Sequence, residues 1–195
     1  MSKKNLKKKS GYTIIETMIA ISLFIVIVMM GIGALLNANL LHQKSRDMRS
    51  ILDNLNFIMD DMARNIRTGS NYYCIPPNIV SLPTTPLSCS NGGLGIAFEP
   101  SGGIPNNNTD QWLYYYAGGK LYKSTKGDVG YQITPDEVII DQANPFSVYG
   151  AEPPPGDTRQ PFVTIRLVGH IVFKNISTPF SIQTSVSQRQ GDIGS

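Results

Sequence analysis

Charge, histidine and cysteine are all scarce in this 195-residue chain, where 16% of residues are charged, two are histidine and two are cysteine. Two histidines leave little room for imidazole chemistry. His42 closes an uncharged run, and His170 alternates with Leu167, Ile171 and Phe173 in a strand-like stretch, a position that suits a surface or hydrogen-bonded sheet residue better than a ligand or a base. No H-E-x-x-H, G-x-S-x-G, P-loop or C-x-x-C occurs, so the sequence offers no reason to expect an enzyme, and no cofactor is expected. Proline is missing from residues 1 to 75, which leaves that stretch free to run as one uninterrupted helix.

The formal charge of +3 is concentrated at one end. Lys3, Lys4, Lys7, Lys8 and Lys9 all fall in the first ten residues, and beyond residue 11 there are 12 Lys and Arg against 14 Asp and Glu, a net of −2. A general nucleic-acid binder draws its affinity from phosphate neutralisation, so none is expected here.

Behind the lysines comes an apolar run. Met18 to Leu36 carries no charge, and the uncharged stretch continues through His42. A helix from Tyr12 to Leu36 would be about 37 Å long at 1.5 Å per residue, enough for a hydrocarbon core of about 30 Å. Lysines before the run and few after it predict a cytoplasmic N-terminus and an exported remainder. A cleaved secretory signal fits poorly, because the run is too long and no A-x-A follows it. A plain signal anchor explains the lysines but not Glu16, an acid inside the apolar run with no compensating charge in that segment. Such a carboxylate is costly in a membrane and needs a partner.

In an exported protein, Cys74 and Cys89 read as one disulfide closing a loop, worth about 3 kcal/mol. In a reducing compartment the same pair would be two thiols.

The stretch Lys7-Lys8-Lys9-Ser10-Gly11-Tyr12-Thr13-Ile14-Ile15-Glu16 resembles the leader of type IV pilins and of the pseudopilins of type II secretion. Tyr12 stands where the family usually carries Phe and keeps the aromatic character. The resemblance implies cleavage by a prepilin peptidase between Gly11 and Tyr12, N-methylation of Tyr12, and retention of the apolar segment. Glu16 becomes fifth in the mature chain, where its carboxylate can pair with the Tyr12 amine of a neighbouring subunit in a low-dielectric bundle. Implied partners are other pilin or pseudopilin subunits, the peptidase, an inner-membrane assembly platform and the membrane itself. The implied location is the inner membrane, with the head exported, and then the filament. The run Thr184-Ser185-Val186-Ser187-Gln188-Arg189 resembles the closing strand of large minor pilins and of the J-like and W-like pseudopilins.

Met48, Ile51, Leu52, Leu55, Met59, Met62 and Ile66 recur at helical spacing, with Arg49, Asp53, Asp60, Asp61 and Arg64 between them. This predicts an amphipathic half-helix at 42–69 following an assembly half at 12–41, with 1–11 as leader. Thr68-Gly69 supplies the stop. Gly31 and Gly33 fall mid-helix, where they permit local loosening or close helix packing.

Residues 70–195 predict a β-rich head, with a proline-rich looped region at 74–110 in which only Ile96–Glu99 resembles a strand. Gln111–Tyr116 and Leu121–Ser124 flank Gly118-Gly119 as a hairpin. Further strands are expected at 138–141, 146–149, 162–173 and 180–186, forming an antiparallel sheet over the helix. The fold class is therefore α+β, one long N-terminal helix packed on an antiparallel β-sheet head.

Asn106, Asn108 and Asp110 are oxygen-rich and could hold calcium, but they lack the spacing of a calcium loop, and a solvated turn is the better reading. Asn107-Asn108-Thr109 and Asn175-Ile176-Ser177 match the glycosylation sequon and are assigned nothing. Trp112, Tyr114, Tyr115, Tyr116 and Tyr122 could form a ligand platform, although strand alternation places half of them in a core. Two functions from different classes remain: a minor pilin or pseudopilin subunit, or an uncleaved membrane-anchored module binding DNA, glycan or a surface.

Overall fold

The computed structural model describes residues 11–77, 84–104, 107, 109–153, 155–173 and 176–189. The basic stretch 1–10, Asn106, Asn108 and Asn175 lie outside the described residues. The chain divides into two compact units, Met1–Asp47 and Met48–Ser195, with helix α1 (Ile14–Thr68) contributing to both.

In the first unit, Thr13 rather than Tyr12 opens the helix. Its carbonyl accepts the Glu16 and Thr17 N–H groups at 3.1 and 3.2 Å, and its hydroxyl accepts the Glu16 N–H at 3.4 Å. A side-chain oxygen accepting from an N–H of the first turn is an N-cap, and Thr-x-x-Glu is the capping-box spacing. Ser22 returns its hydroxyl to the Met18 and Ile19 carbonyls, which satisfies it on an apolar surface. Every residue from Gly11 to Leu41 is exposed, and an 18-residue window here has mean hydropathy 2.8. The helix is long and apolar enough to cross a membrane.

In the second unit α1 buries one stripe: Ile51, Leu55, Ile58, Met59, Met62 and Ile66. Met48 and Leu52 are only half-buried, and Ile58 joins the stripe instead. The helix stops at Thr68 because Gly69 turns its N–H back to Asn65 and Ile66 (3.1 and 3.0 Å), while the buried Tyr72 hydroxyl donates to the Ile66 carbonyl at 2.7 Å. That bond satisfies one of the carbonyls a helix end leaves open.

Two antiparallel sheets, rather than the single sheet expected, cover the stripe. The first has the order β1 (Ser70–Ile75), β3 (Gly95–Glu99), β4 (Trp112–Ala117), β5 (Lys120–Thr125), β6 (Tyr131–Gln132). The second runs β10 (Ile176–Ser187), β9 (Phe162–Phe173), β8 (Phe146–Tyr149), β2 (Cys89–Gly93), and β7 (Val138–Ile140) pairs with β9. The β4–β5 hairpin turns at Gly118-Gly119, whose φ of 55° and 81° suit the left-handed turn that two-residue hairpins require. Gly169 lets β7 pass so closely that an added Cβ would meet the Ile139 carbonyl oxygen. The core joins the helix stripe to Phe98, Tyr114, Phe146, Ile165 and Leu167, all fully buried.

Residues 74–110 are not simply looped, which corrects the expectation from composition. β2, β3 and the last two residues of β1 lie within that stretch. β2 reads Cys-Ser-Asn-Gly-Gly, a turn-like composition, yet it pairs with β8 through Cys89–Val148 and Gly93–Phe146. Gly93 is there because a Cβ would stand 2.4 Å from Cys74 Sγ. β1 is bulged between Ser70 and Tyr73, with Asn71 at φ 52°, an angle that Asn tolerates better than most residues.

Candidate functional site

The residues singled out in the N-terminal segment sit at the entrance of α1. Gly11 and Tyr12 are exposed and precede the helix, and an added Cβ on Gly11 would meet nothing within 4 Å. Glu16 is the third helical residue, inside the first turn, where the partial positive charge of the helix N-terminus favours an anion. Periodicity alone did not disclose this setting: Glu16 stands in a first turn capped by Thr13, whose carbonyl and hydroxyl accept the Glu16 N–H. The Thr13-x-x-Glu16 spacing was its signal in the sequence.

In the head, Cys74 and Cys89 are joined, with Cα atoms 5.9 Å apart across a separation of 15 residues. Ser88, beside Cys89, is gripped from another strand connection. Its N–H donates to Glu152 Oε1 at 2.8 Å, its hydroxyl donates to Glu152 Oε2, and its Oγ accepts the Ala151 N–H at 3.0 Å. Burial alone would raise the Glu152 carboxyl, but the Ser88 hydrogen bonds outweigh it and lower its pKa. Composition gave no sign of this partnership, because the two residues are 64 apart in sequence.

A polar clasp ties helix to sheet. Lys123 Nζ lies 3.2 Å from Asp61 Oδ2 and 4.6 Å from the Trp112 ring centroid. Asn65 Nδ2 donates to the Tyr114 hydroxyl at 2.8 Å, which in turn donates to Asp61 Oδ2 at 3.3 Å. Burial pushes the Tyr114 phenol up, with Asn65 and Lys123 acting against it. For Lys123 burial lowers the pKa, but Tyr114 and Asp61 reverse it and leave the ammonium held above its ordinary value. Asp61 and Lys123 also line a groove of about 550 Å³ with Phe57, Ile58, Tyr131 and Pro135. Both charges are already paired, so the groove is walled by an ion pair and not by a free acid or base.

The aromatic residues divide between faces. Tyr114 is core, 6.0 Å from Phe98, and Trp112 meets Phe98 edge-on at 6.3 Å. Tyr115 and Tyr122 stack as a cross-strand pair at 5.2 Å. The five do not form one platform. His170 Nδ1 pairs with Asp141 Oδ2 at 2.9 Å on the surface. Asp110 Oδ2 accepts the Ile104 N–H at 2.7 Å, and Asn107 Oδ1 accepts from Thr109 N–H and Oγ1, so the described part of this loop is a hydrogen-bonded turn. Among the described residues no three His, Cys, Asp or Glu side chains gather as a metal cluster.

Comparison with family models, with curated proteins and with solved structures yields no match for this chain.

Proposed function

We propose that this chain is a non-enzymatic subunit of a type IV pilin-like filament, a minor pilin or a pseudopilin. It is cut between Gly11 and Tyr12 by a prepilin peptidase and assembles through its N-terminal helix. The observation that carries this reading is the coincidence, within ten residues, of Lys7-Lys8-Lys9-Ser10-Gly11 and a lone Glu16 at the head of a helix that is otherwise uncharged to Lys44 and long enough to cross a membrane. After export the head lies outside the inner membrane. The fully exposed apolar surface of residues 14–41 then passes from lipid into a bundle of like helices, where the Tyr12 amine of one subunit neutralises Glu16 of the next.

One observation favours the rival reading, an uncleaved anchor carrying a binding head. Glu16 already serves as the third residue of a capped first turn, so its presence does not require a partner subunit. Two substitutions separate the readings. Gln is also accepted at the third position of a capping box and removes the charge, whereas Val is a poor residue there and removes the charge as well. In the filament reading Glu16→Gln and Glu16→Val both lose subunit assembly, read as cross-linked oligomers in the membrane fraction. If Glu16→Gln assembles like the parent and only Glu16→Val is impaired, a helix-start preference accounts for Glu16 and the filament reading falls.

A further inference from the structure

The amphipathic half of α1 carries a second stripe, on the side away from the core. Arg49, Asp53, Phe57, Asp60, Arg64 and Arg67 are all exposed, and all belong to the second unit. At 3.6 residues per turn they fall within an arc of about 80°. That arc lies opposite the buried Leu55, Met62 and Ile66. Phe57, the one apolar side chain among the six, keeps 74% of its surface open.

The charges of this stripe are not used within the chain. Arg49 and Asp53, like Asp60 and Arg64, have the i, i+4 spacing of helical ion pairs. Yet the salt bridges found among the described residues are Lys123–Asp61 and His170–Asp141. Four charges and a phenylalanine are left facing outward.

Their order matches a shifted copy of the same stripe. Asp60 lies eleven residues after Arg49, and Arg64 lies eleven after Asp53. Two parallel copies standing level set every charge against its like. Advancing one copy by eleven residues, about three turns and about 16 Å, presents the same face and brings both opposite-sign pairs together at once. An advance of four residues makes two sign matches as well, Asp53 with Arg49 and Arg64 with Asp60, and Phe57 decides between the two. After four, Phe57 of one copy meets Asp53 of the other. After eleven, Arg67 of one copy comes level with Asn56 of the other, beside Phe57, and a guanidinium is attracted to an aromatic face.

We propose that this stripe is the contact surface between neighbouring copies of the chain, packed parallel and offset by eleven residues, with Asp60 on Arg49, Arg64 on Asp53 and Arg67 over Phe57. The inference rests on the filament reading and adds to it a surface and a register. Exposed ion pairs hold weakly, so their effect is to select a register more than to supply affinity. Chains anchored side by side in one bilayer stand level and repel along the stripe. The offset that satisfies it is reached only when one chain is raised relative to the next.

The test co-produces two differently tagged forms of the full chain with a prepilin peptidase, each carrying one cysteine in the stripe, and treats the membranes with a short bismaleimide. Cys74 and Cys89 are joined and do not react. Arg49→Cys with Asp60→Cys, and Asp53→Cys with Arg64→Cys, should give the strongest mixed-tag dimers. Stronger dimers from Arg49→Cys with itself, the level arrangement, or from Arg49→Cys with Asp53→Cys, the four-residue offset, overturn the proposal. Asp60→Arg alone should lower the assembled fraction about threefold, and adding Arg49→Asp should restore it. No rescue by the second reversal also overturns the proposal. A formaldehyde ladder from the parent, which needs no particular register, keeps the two readings apart. A ladder without the Arg49→Cys and Asp60→Cys product sinks the stripe alone, whereas no ladder in the presence of the peptidase sinks the filament reading and the stripe with it.

Discussion

Truncating Leu55 to alanine tests whether the amphipathic half of the helix is bound into the head through the stripe described. Leu55 is fully buried, whereas Phe57, two residues on and larger, is 74% exposed. Removing three buried carbons from a site among Met59, Met62 and sheet side chains costs the transfer term plus a cavity, about 2–5 kcal/mol in total. Phe57→Ala removes more surface but little of it is buried, so its cost is within about 0.5 kcal/mol. The chain has a single tryptophan, Trp112, in contact with Phe98 and Lys123, so its fluorescence reports on the head alone. In urea, with a slope of roughly 2 kcal/mol/M, Leu55→Ala should lower the midpoint by about 1–2.5 M and Phe57→Ala by no more than about 0.3 M. Equal losses, or a larger loss at Phe57, would refute the assignment of the buried face.

Replacing Cys74 and Cys89 together by serine should cost about 3 kcal/mol by loop entropy for a 15-residue separation, read as a lower urea midpoint that added reductant reproduces in the parent. Glu152, held by Ser88, has a lowered folded pKa, so its contribution is present above the unfolded carboxylate value and fades as the pH falls through the folded one. Glu152→Gln should therefore destabilise the head at neutral pH, and the deficit should shrink toward pH 3 in the same Trp112 assay. A deficit that grows on acidification would contradict the assignment.

The sequence made the helix legible because its signals are local and redundant: no proline through residue 75, helical spacing from Met48 to Ile66, and a glycine stop. The long strands β9 and β10 and the Gly-Gly hairpin were legible for the same reason. The strands at 70–75 and 89–93 were not. β2 is made mostly of turn formers and β1 opens on Ser70-Asn71, and they are extended because β3, β8 and the Cys74–Cys89 link hold them, constraints that act across tens of residues. The split into two sheets was hidden likewise, since strand order is set by packing. Among the site residues, Glu16 stood out by its chemistry against an apolar background. The Ser88–Glu152 partnership did not, because the two residues are 64 apart in sequence.

The central claim turns on one bond, between Gly11 and Tyr12. The intact mass and N-terminal sequence of the membrane-extracted protein, produced with and without a prepilin peptidase, read it directly. The account predicts a chain beginning at Tyr12, with or without one added methyl group, only when the peptidase is present. A chain beginning at Met1 or Ser2 in both cases would contradict it.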